Sequence, residues 1–415
     1  MKNTATSPTK NELSPIHDFS GKLRQAGLIK QVKSYVLWQA ARRGTYNGKA
    51  SFPDQAPTSI NLDLSTICNY ACDHCVDKKI LNTSFKFAHD KLMASLRLMA
   101  EKGLKSVIII GGGEPTTYPK FEEFIYFLKE LKLQVAVVSN GSGNRRILQC
   151  ADAFTKGDWV RLSLDSGLEE TFQAMHKPKL KISLDEICEW IPKIKEKNPA
   201  IMVGYSFMIT WKGSEINDTS IIENIDEIET ATKRARKYKF DYISLKPFLA
   251  RSPVNNAEII DYKTESVAFD EALKKTRASV NRAKAMETDT FKVWESTNLM
   301  VLENGTFEKY TRQPKTCHMQ IFRQILSPLG LYNCPVYRNQ PHGQLGDLDA
   351  YVDETAFTET MKSLIKLLDC FDAAEQCKEV TCLYNDVNWW LEDLINHPEK
   401  LDNVEPTRGK NDFYL

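Results

Sequence analysis

The 415-residue sequence predicts an α/β protein, and three observations carry that prediction. Between residues 59 and about 250, short apolar runs alternate with amphipathic helical patterns. A run of three cysteines and a glycine-rich turn each follow directly on one of those apolar segments. A second set of cysteines brackets a predicted hairpin further on. Six strands alternating with helices imply parallel βαβ units with right-handed crossovers. In such folds ligands collect at the carboxyl ends of the strands.

Residues 1–15 are rich in Thr, Ser, Pro and Asn and read as a disordered tail. Residues 18–43 place Leu23, Leu28, Ile29, Val32, Tyr35 and Val36 near helical spacing. That helical leader is read as a cap on the following domain; a substrate-recognition segment is the sharper reading. A Gly/Pro/Ser-rich link over 44–59 leads to a first strand at 60–64. Leu92, Leu96 and Met99 mark one helical face that ends near Gly103. A continuous apolar strand of the buried parallel kind follows at 107–110. Phe121, Phe124, Ile125 and Leu128 form the next helical face. Strands three and four are expected at 135–138 and 159–164, and strand six at 242–245. Helical patterns around 183–196 and 221–238 flank strand five at 202–210.

Apolar residues are 42% of the chain, charged residues 26%, and the formal net charge is +1, the composition of a soluble globular protein. That balance gives no general attraction to nucleic acid or to an anionic membrane. No apolar run approaches the ~18 residues needed to span a bilayer. The N-terminal segment lacks the apolar core of a signal peptide. Ten cysteines without a secretory signal point to reduced thiols and metal binding, and to the cytoplasm as the expected compartment.

The chemistry-bearing motif is Cys68-x3-Cys72-x2-Cys75. Three closely spaced thiolates can each hold one iron of a [4Fe–4S] cube. Such clusters normally take four cysteines, so a missing ligand suggests a site kept open for a substrate or cofactor. Structural zinc wants a closed tetrahedral set built from two pairs, and no second pair lies near Cys75. After the second strand comes Gly111-Gly112-Gly113-Glu114-Pro115. Glycines let backbone approach a ligand closely, Pro115 fixes the exit of the turn, and Glu114 supplies a charge. Taken alone, this turn would equally serve as a tight strand-to-helix connection.

Together these two motifs resemble those of the radical S-adenosylmethionine (SAM) superfamily, which has a C-x3-C-x2-C loop after the first barrel strand and Gly-Gly-Glu-Pro after the second. The resemblance implies a partial (β/α)6 barrel over residues 59 to about 250. It implies that Cys68, Cys72 and Cys75 bind a [4Fe–4S] cluster whose open iron is chelated by SAM, and that Gly111, Gly112, Gly113 and Glu114 hold the SAM amino group. Tyr70 matches an aromatic often placed beside the adenine, with a plain packing role as the alternative. Asn140, after strand three, is expected near the SAM ribose, with an Asx turn as the alternative. Ser163 is expected near the SAM carboxylate, with Asp165 beside it. Polar residues facing into a barrel are costly unless paired. His176 reads as a surface or loop residue. Lys246 and Arg251, after strand six, are candidates for an anionic substrate group, or are solvated loop ends.

Cys317 and Cys334 bracket two β-like arms around Pro328-Leu-Gly330, a hairpin that would bring them together. Cys377 and Cys382 form a C-x4-C pair before a predicted helix at 387–395. Four thiolates in two pairs suit a closed site, either [4Fe–4S] or zinc. The order of these cysteines is similar to that of SPASM or shorter "twitch" extensions of radical SAM enzymes. With four cysteines rather than seven, the resemblance implies one auxiliary [4Fe–4S] cluster. Cys370 reads as a buried helical thiol rather than a ligand, and Cys150 and Cys188 as small core residues.

The domain organisation expected is a tail plus helical leader (1–58), a partial barrel (59–255), a helical connector (256–310), a small α+β auxiliary-cluster domain (311–400) and a C-terminal tail (401–415). The resemblance implies reductive cleavage of SAM to a 5′-deoxyadenosyl radical, with flavodoxin or ferredoxin as electron donor. That radical abstracts hydrogen from a small metabolite such as a sugar or amino sugar, with net oxidation or rearrangement. Modification of a ribosomally made peptide is the alternative substrate reading, and a non-enzymatic metal scaffold the alternative class.

Overall fold

The computed structural model describes residues 14–216, 219–252, 257–260, 267–407 and 411–415. Six strands form the expected parallel series: β1 (Ser59–Leu62), β2 (Ser106–Ile109), β3 (Gln134–Ser139), β4 (Trp159–Ser163), β5 (Met202–Ile209) and β6 (Tyr242–Pro247), each hydrogen-bonded to the next in that order. Apolar positions such as Val107, Ile109, Val135, Val137, Val160 and Leu162 are fully or almost fully buried. Helices α1 (Ile29–Arg43), α2 (His89–Glu101), α3 (Phe121–Glu130) and α5 (Ile228–Lys237) carry helical faces read from the sequence. The pattern around 183–196 forms two short helices at Leu184–Cys188 and Trp190–Lys197, and α4 (Glu169–His176) is a helix where the sequence reading places none. The disordered-tail expectation for 1–15 falls almost wholly outside the described residues. The leader is one long helix, α1, preceded by a short turn of helix at Phe19–Leu23.

The sheet is larger than six strands. β7 (Lys292–Glu295) adds parallel to β6, inside the stretch expected to be a helical connector. β8 (Arg323–Ser327) adds parallel to β1 on the other side, with Ser59 opposite Arg323 and Leu62 opposite Leu326. β8 is the first arm of the expected hairpin; β9 (Gly330–Tyr332) is its second, and β10 (Gln344–Gly346) pairs with β9. One ten-stranded sheet therefore runs from the barrel into the region expected as a separate domain. Its hydrogen bonds cross the boundary placed at residue 311.

Two long helices, α6 (Glu354–Cys370) and α7 (Asn385–Asn396), complete this region. The last residues pack rather than trail: Tyr414 and Leu415 are buried, and Ser106 and Lys22 donate hydrogen bonds of 2.7 Å to the carbonyls of Phe413 and Tyr414. They close the N-terminal edge of the barrel, opposite the ligand side. No helix among the described residues is long and apolar enough to cross a membrane.

Candidate functional site

The cysteine loop leaves the C-terminal end of β1 and runs against the turn that leaves β2. Gly112 pairs with Ser65, Gly113 N donates to Ser65 O at 2.5 Å, and Glu114 N donates to Ile67 O at 2.8 Å. This zipper explains the glycines. Gly112 has φ +67°, and a Cβ on Gly113 would sit 2.1 Å from the Ile67 carbonyl oxygen. A side chain there would push the cysteine loop off the barrel.

Glu114 is buried, and its carboxylate takes four donors: Thr116 N (3.1 Å), Thr116 Oγ1 (2.6 Å), Ser139 Oγ (2.7 Å) and Asn140 N (2.7 Å). Burial raises its carboxyl, and these donors offset part of that. The residue thus braces the β2 turn against the end of β3. Asn140 accepts from Ser142 N at 2.9 Å, closing the Asx turn named as its alternative, and donates to Asn69 Oδ1 at 2.9 Å. Tyr70 is buried with its ring against Phe172 and His176, and its hydroxyl has no hydrogen-bond partner.

Cys68, Cys72 and Cys75 are all free and partly buried. Burial pushes all three thiols up, Cys75 to about 12; Cys72 is raised further by Cys75 and Cys68, Cys75 by Asp77 and Cys68, and Cys68 by Glu114. Such thiols stay protonated unless a cation takes them; a metal deprotonates its coordinating thiols outright. Cys72 Sγ lies 3.3 Å from His176 Nδ1. His176 Nε2 lies 2.9 Å from the Leu164 carbonyl, which can only accept, so Nε2 carries the proton and Nδ1 faces the sulfur as an acceptor.

His176 is therefore not the surface histidine expected from sequence: it is 2% exposed at the end of α4. Burial and the neighbouring His74 pull it down to about 4. Cys72, His74 and His176 bring donor atoms within 4.8 Å of one another, a smaller metal-competent set sharing one sulfur with the three-cysteine loop. His74 and His176 also face Asp165, at 3.6 and 3.7 Å. Asp165 has φ +49° and accepts from Met208 N at 2.7 Å. Burial alone would raise its carboxyl, yet His74, Lys246 and His176 hold it well below the usual range. Ser163, at the end of β4, is half-buried on the face that leads to Asp165.

The second set of cysteines also converges. Cys317 precedes the turn into β8, Cys334 follows β9, and Cys377 and Cys382 precede α7. Burial is the main force raising all four thiols, Cys317 to about 12, and Cys317, Cys377 and Cys382 are raised further by other members of the set. Asn388 donates to Cys317 Sγ at 3.7 Å, and Tyr337 OH lies 3.9 Å from Cys377 Sγ. Four thiols in two pairs can hold either a zinc ion or a [4Fe–4S] cluster. Cys370 ends α6 exposed, not buried as expected.

Arg338 ties the two regions together, and no local sequence pattern marks it. Arg338, four residues after Cys334, reaches Asp63 at the end of β1 (3.1 and 3.2 Å) and Asp77 in the cysteine loop (2.9 Å). Asp77 also accepts from Gly112 N at 3.3 Å. Burial pushes Asp63 up, to about 7, with Arg338 pulling it down and Asp77 adding to the rise. Lys246 projects from β6 toward Asp165; the Arg251 side chain lies outside the described residues.

The donor chemistry fits an open iron–sulfur cluster beside a SAM site. Three thiols without a fourth cysteine sit at the strand ends, next to a backbone cradle that a Cβ would fill and an unsatisfied buried Tyr70 hydroxyl. Comparison with known proteins agrees. Residues 62–228 match the model of the Radical SAM superfamily. A relative described as GTPase Obg, from Brachyspira hyodysenteriae, is 23% identical over 61% of this chain and 36% of its own length. An S-adenosylmethionine-dependent nucleotide dehydratase from a Thermoplasmatales archaeon is 34% identical over 26% of this chain and 38% of its own. The chain thus spans little more than a third of these relatives' lengths. The crystal structure of Streptococcus suis SuiB bound to S-adenosylmethionine shares the fold, with TM-score 0.51 and 14% identity over 73% of this chain and 67% of that one. Residues 62–228 thus match the radical SAM superfamily, whose members run radical chemistry on a [4Fe–4S] cluster and S-adenosylmethionine.

Proposed function

We propose that this chain is a radical SAM enzyme acting on a small metabolite, with Cys68, Cys72 and Cys75 holding the SAM-cleaving cluster and Cys317, Cys334, Cys377 and Cys382 an auxiliary [4Fe–4S] cluster of SPASM or twitch type. The observation that carries this reading is the zipper between the cysteine loop and the glycine turn, which presents three thiols and bare backbone to one space at the strand ends. When bound, a cluster held by Cys68, Cys72 and Cys75 would supply the one-electron reductive cleavage of S-adenosylmethionine.

The protein's own part is positional. Gly111, Gly112 and Gly113 keep the cradle clear, and Glu114 fixes the turn to Asn140. Ser163 and Asp165 line the next strand end, and His176 closes the loop behind Cys72. The reading of a small metabolite draws support from the polar barrel interior around Ser206, Ser244 and Lys246, and from relatives named for action on nucleotides. Flavodoxin or ferredoxin is the proposed electron donor, and oxidation or rearrangement the proposed outcome.

Anaerobic reconstitution tests the reading. About eight irons per chain are expected from two [4Fe–4S] clusters; a plateau near four with bound zinc would reject the auxiliary cluster. Cys72→Ala should abolish 5′-deoxyadenosine formation, and persistent formation would overturn the ligand assignment. Deuterium transfer from candidate substrates into 5′-deoxyadenosine then identifies the substrate.

A further inference from the structure

The turn that follows β9 faces two ways. Cys334 opens it, Pro335–Tyr337 form a single 3-10 turn, and Arg338 leaves it. Tyr337 N donates to Cys334 O at 3.1 Å and Arg338 N to Pro335 O at 3.4 Å, which fixes the shape of the turn. Tyr337 turns toward the four cysteines, with its hydroxyl 3.9 Å from Cys377 Sγ and donating to the Gln376 carbonyl. Arg338, the next residue, turns the other way into its ion pairs with Asp63 and Asp77. Adjacent side chains of one short turn thus address the two cysteine regions.

The guanidinium reaches the glycine cradle itself. Gly111 has φ +91°, and a Cβ there would lie 2.3 Å from Arg338 Nη1 and 2.9 Å from Asp63 Oδ1. Asp77 Oδ2 accepts from Arg338 Nη1 at 2.9 Å and from Gly112 N at 3.3 Å, so one oxygen ties the arginine to the second glycine. Asp77 lies two residues past Cys75, and Ile80 N donates to its carbonyl at 2.9 Å. Side-chain exposure is 10% for Arg338 and Asp77 and nil for Asp63. A carboxylate this deep keeps its place only while its charge is paired. With Arg338 displaced, Asp77 would turn to water, releasing Gly112 N and the end of the cysteine loop.

We propose that Arg338 is a positioning residue through which the four-cysteine region shapes the SAM cradle, so that a metal group held by Cys317, Cys334, Cys377 and Cys382 tightens SAM binding beside Cys68, Cys72 and Cys75. Cys334, once ligated, anchors the start of the turn that sets Arg338 against Gly111. The position of the turn is what passes between the sites, so zinc and a [4Fe–4S] cluster would serve alike. Coupling of two binding equilibria is reciprocal, so SAM should in turn raise the metal affinity of the four cysteines. The inference deepens the radical SAM reading and rests on it.

The test is SAM binding to the anaerobically reconstituted full chain, followed by calorimetry with metal analysis of each sample. Replacing one thiol pair, Cys377→Ala with Cys382→Ala, leaves the residues of the turn intact and should weaken SAM binding about tenfold. Arg338→Met should weaken it by a similar factor. All three changes together should lose no more than either variant alone, since one linkage carries both effects. Arg338→Lys keeps the cation, should restore most of the affinity, and guards against misfolding of the Met variant. The SAM-induced change in the electron paramagnetic resonance of the reduced three-cysteine cluster should reach the wild-type end point at higher SAM, a readout that lost stability alone would not move. Wild-type SAM affinity in a thiol-pair variant that has lost its metal would overturn the coupling, as would additive losses in the combined variant. A wild type that loads iron at the loop and binds no SAM would instead refute the radical SAM reading.

Discussion

The two cysteine regions differ in number, framing and exposure. The three-cysteine loop hangs on backbone hydrogen bonds to a glycine turn, and Ile67 and Val76 beside its ligand candidates are exposed. The four-cysteine set is flanked by the buried Tyr337 and Tyr384, with Asn388 donating to Cys317 Sγ. An open set invites an outside ligand, and a closed one satisfies itself. The contrast shows how one sheet supports both: β1 carries the open loop, and its neighbour β8 leads into the closed cage.

Paired removals sharpen this comparison most. Cys75→Ala should abolish 5′-deoxyadenosine formation, whereas Cys382→Ala should lower iron from about eight to about four per chain. Iron analysis with electron paramagnetic resonance reads both, and identical losses in the two variants would erase the distinction. The next largest effect is expected at the clasp between the regions. Arg338→Met leaves Asp63 and Asp77 buried without their cation and should destabilise the fold by about 3 kcal/mol. Asp63→Asn in the same background should recover part of that loss; denaturant midpoints measure both.

Gly113→Ala tests the open loop's framing. Its Cβ would meet the Ile67 carbonyl, so a cost of about 2 kcal/mol and weakened iron retention at Cys68, Cys72 and Cys75 are expected. A wild-type melting temperature would refute the close-approach argument. The smallest effect lies on the closed side. Glu392 joins His318 at 2.8 Å and Arg43 at 2.6 Å. Burial alone would raise it, yet these partners hold it at about 2, below its ordinary 4.5. A depressed carboxylate contributes stability above its unfolded value, and that contribution is lost as pH falls through about 2. Glu392→Gln should lose about 1 kcal/mol at neutral pH and flatten the acid limb of a stability–pH profile.

Much of the barrel was legible because its strands are continuous apolar runs with both faces packed, as at Val107 and Val135. The loop and the turn were legible because cysteine spacing and glycine runs are local. β7 was missed, although Phe291, Val293 and Trp294 carry an apolar strand pattern, because a four-residue strand after a long helix gives a weak signal. His176 was misread because nothing near it in sequence reveals that α4 ends against Cys72. Cys370 was misread because only packing tells which face of α6 is covered.

The sequence by itself determined which residues can bind a cluster, where strands end and which turns must be bare, since these follow from side-chain chemistry and from steric limits on neighbouring residues. Tertiary structure alone decided that β8 joins β1, that Arg338 reaches Asp63 and Asp77, and that His176 meets Cys72. Those contacts join residues tens to hundreds of positions apart. Long-range pairing is fixed by which surfaces the whole core can bury together, and no local pattern encodes it.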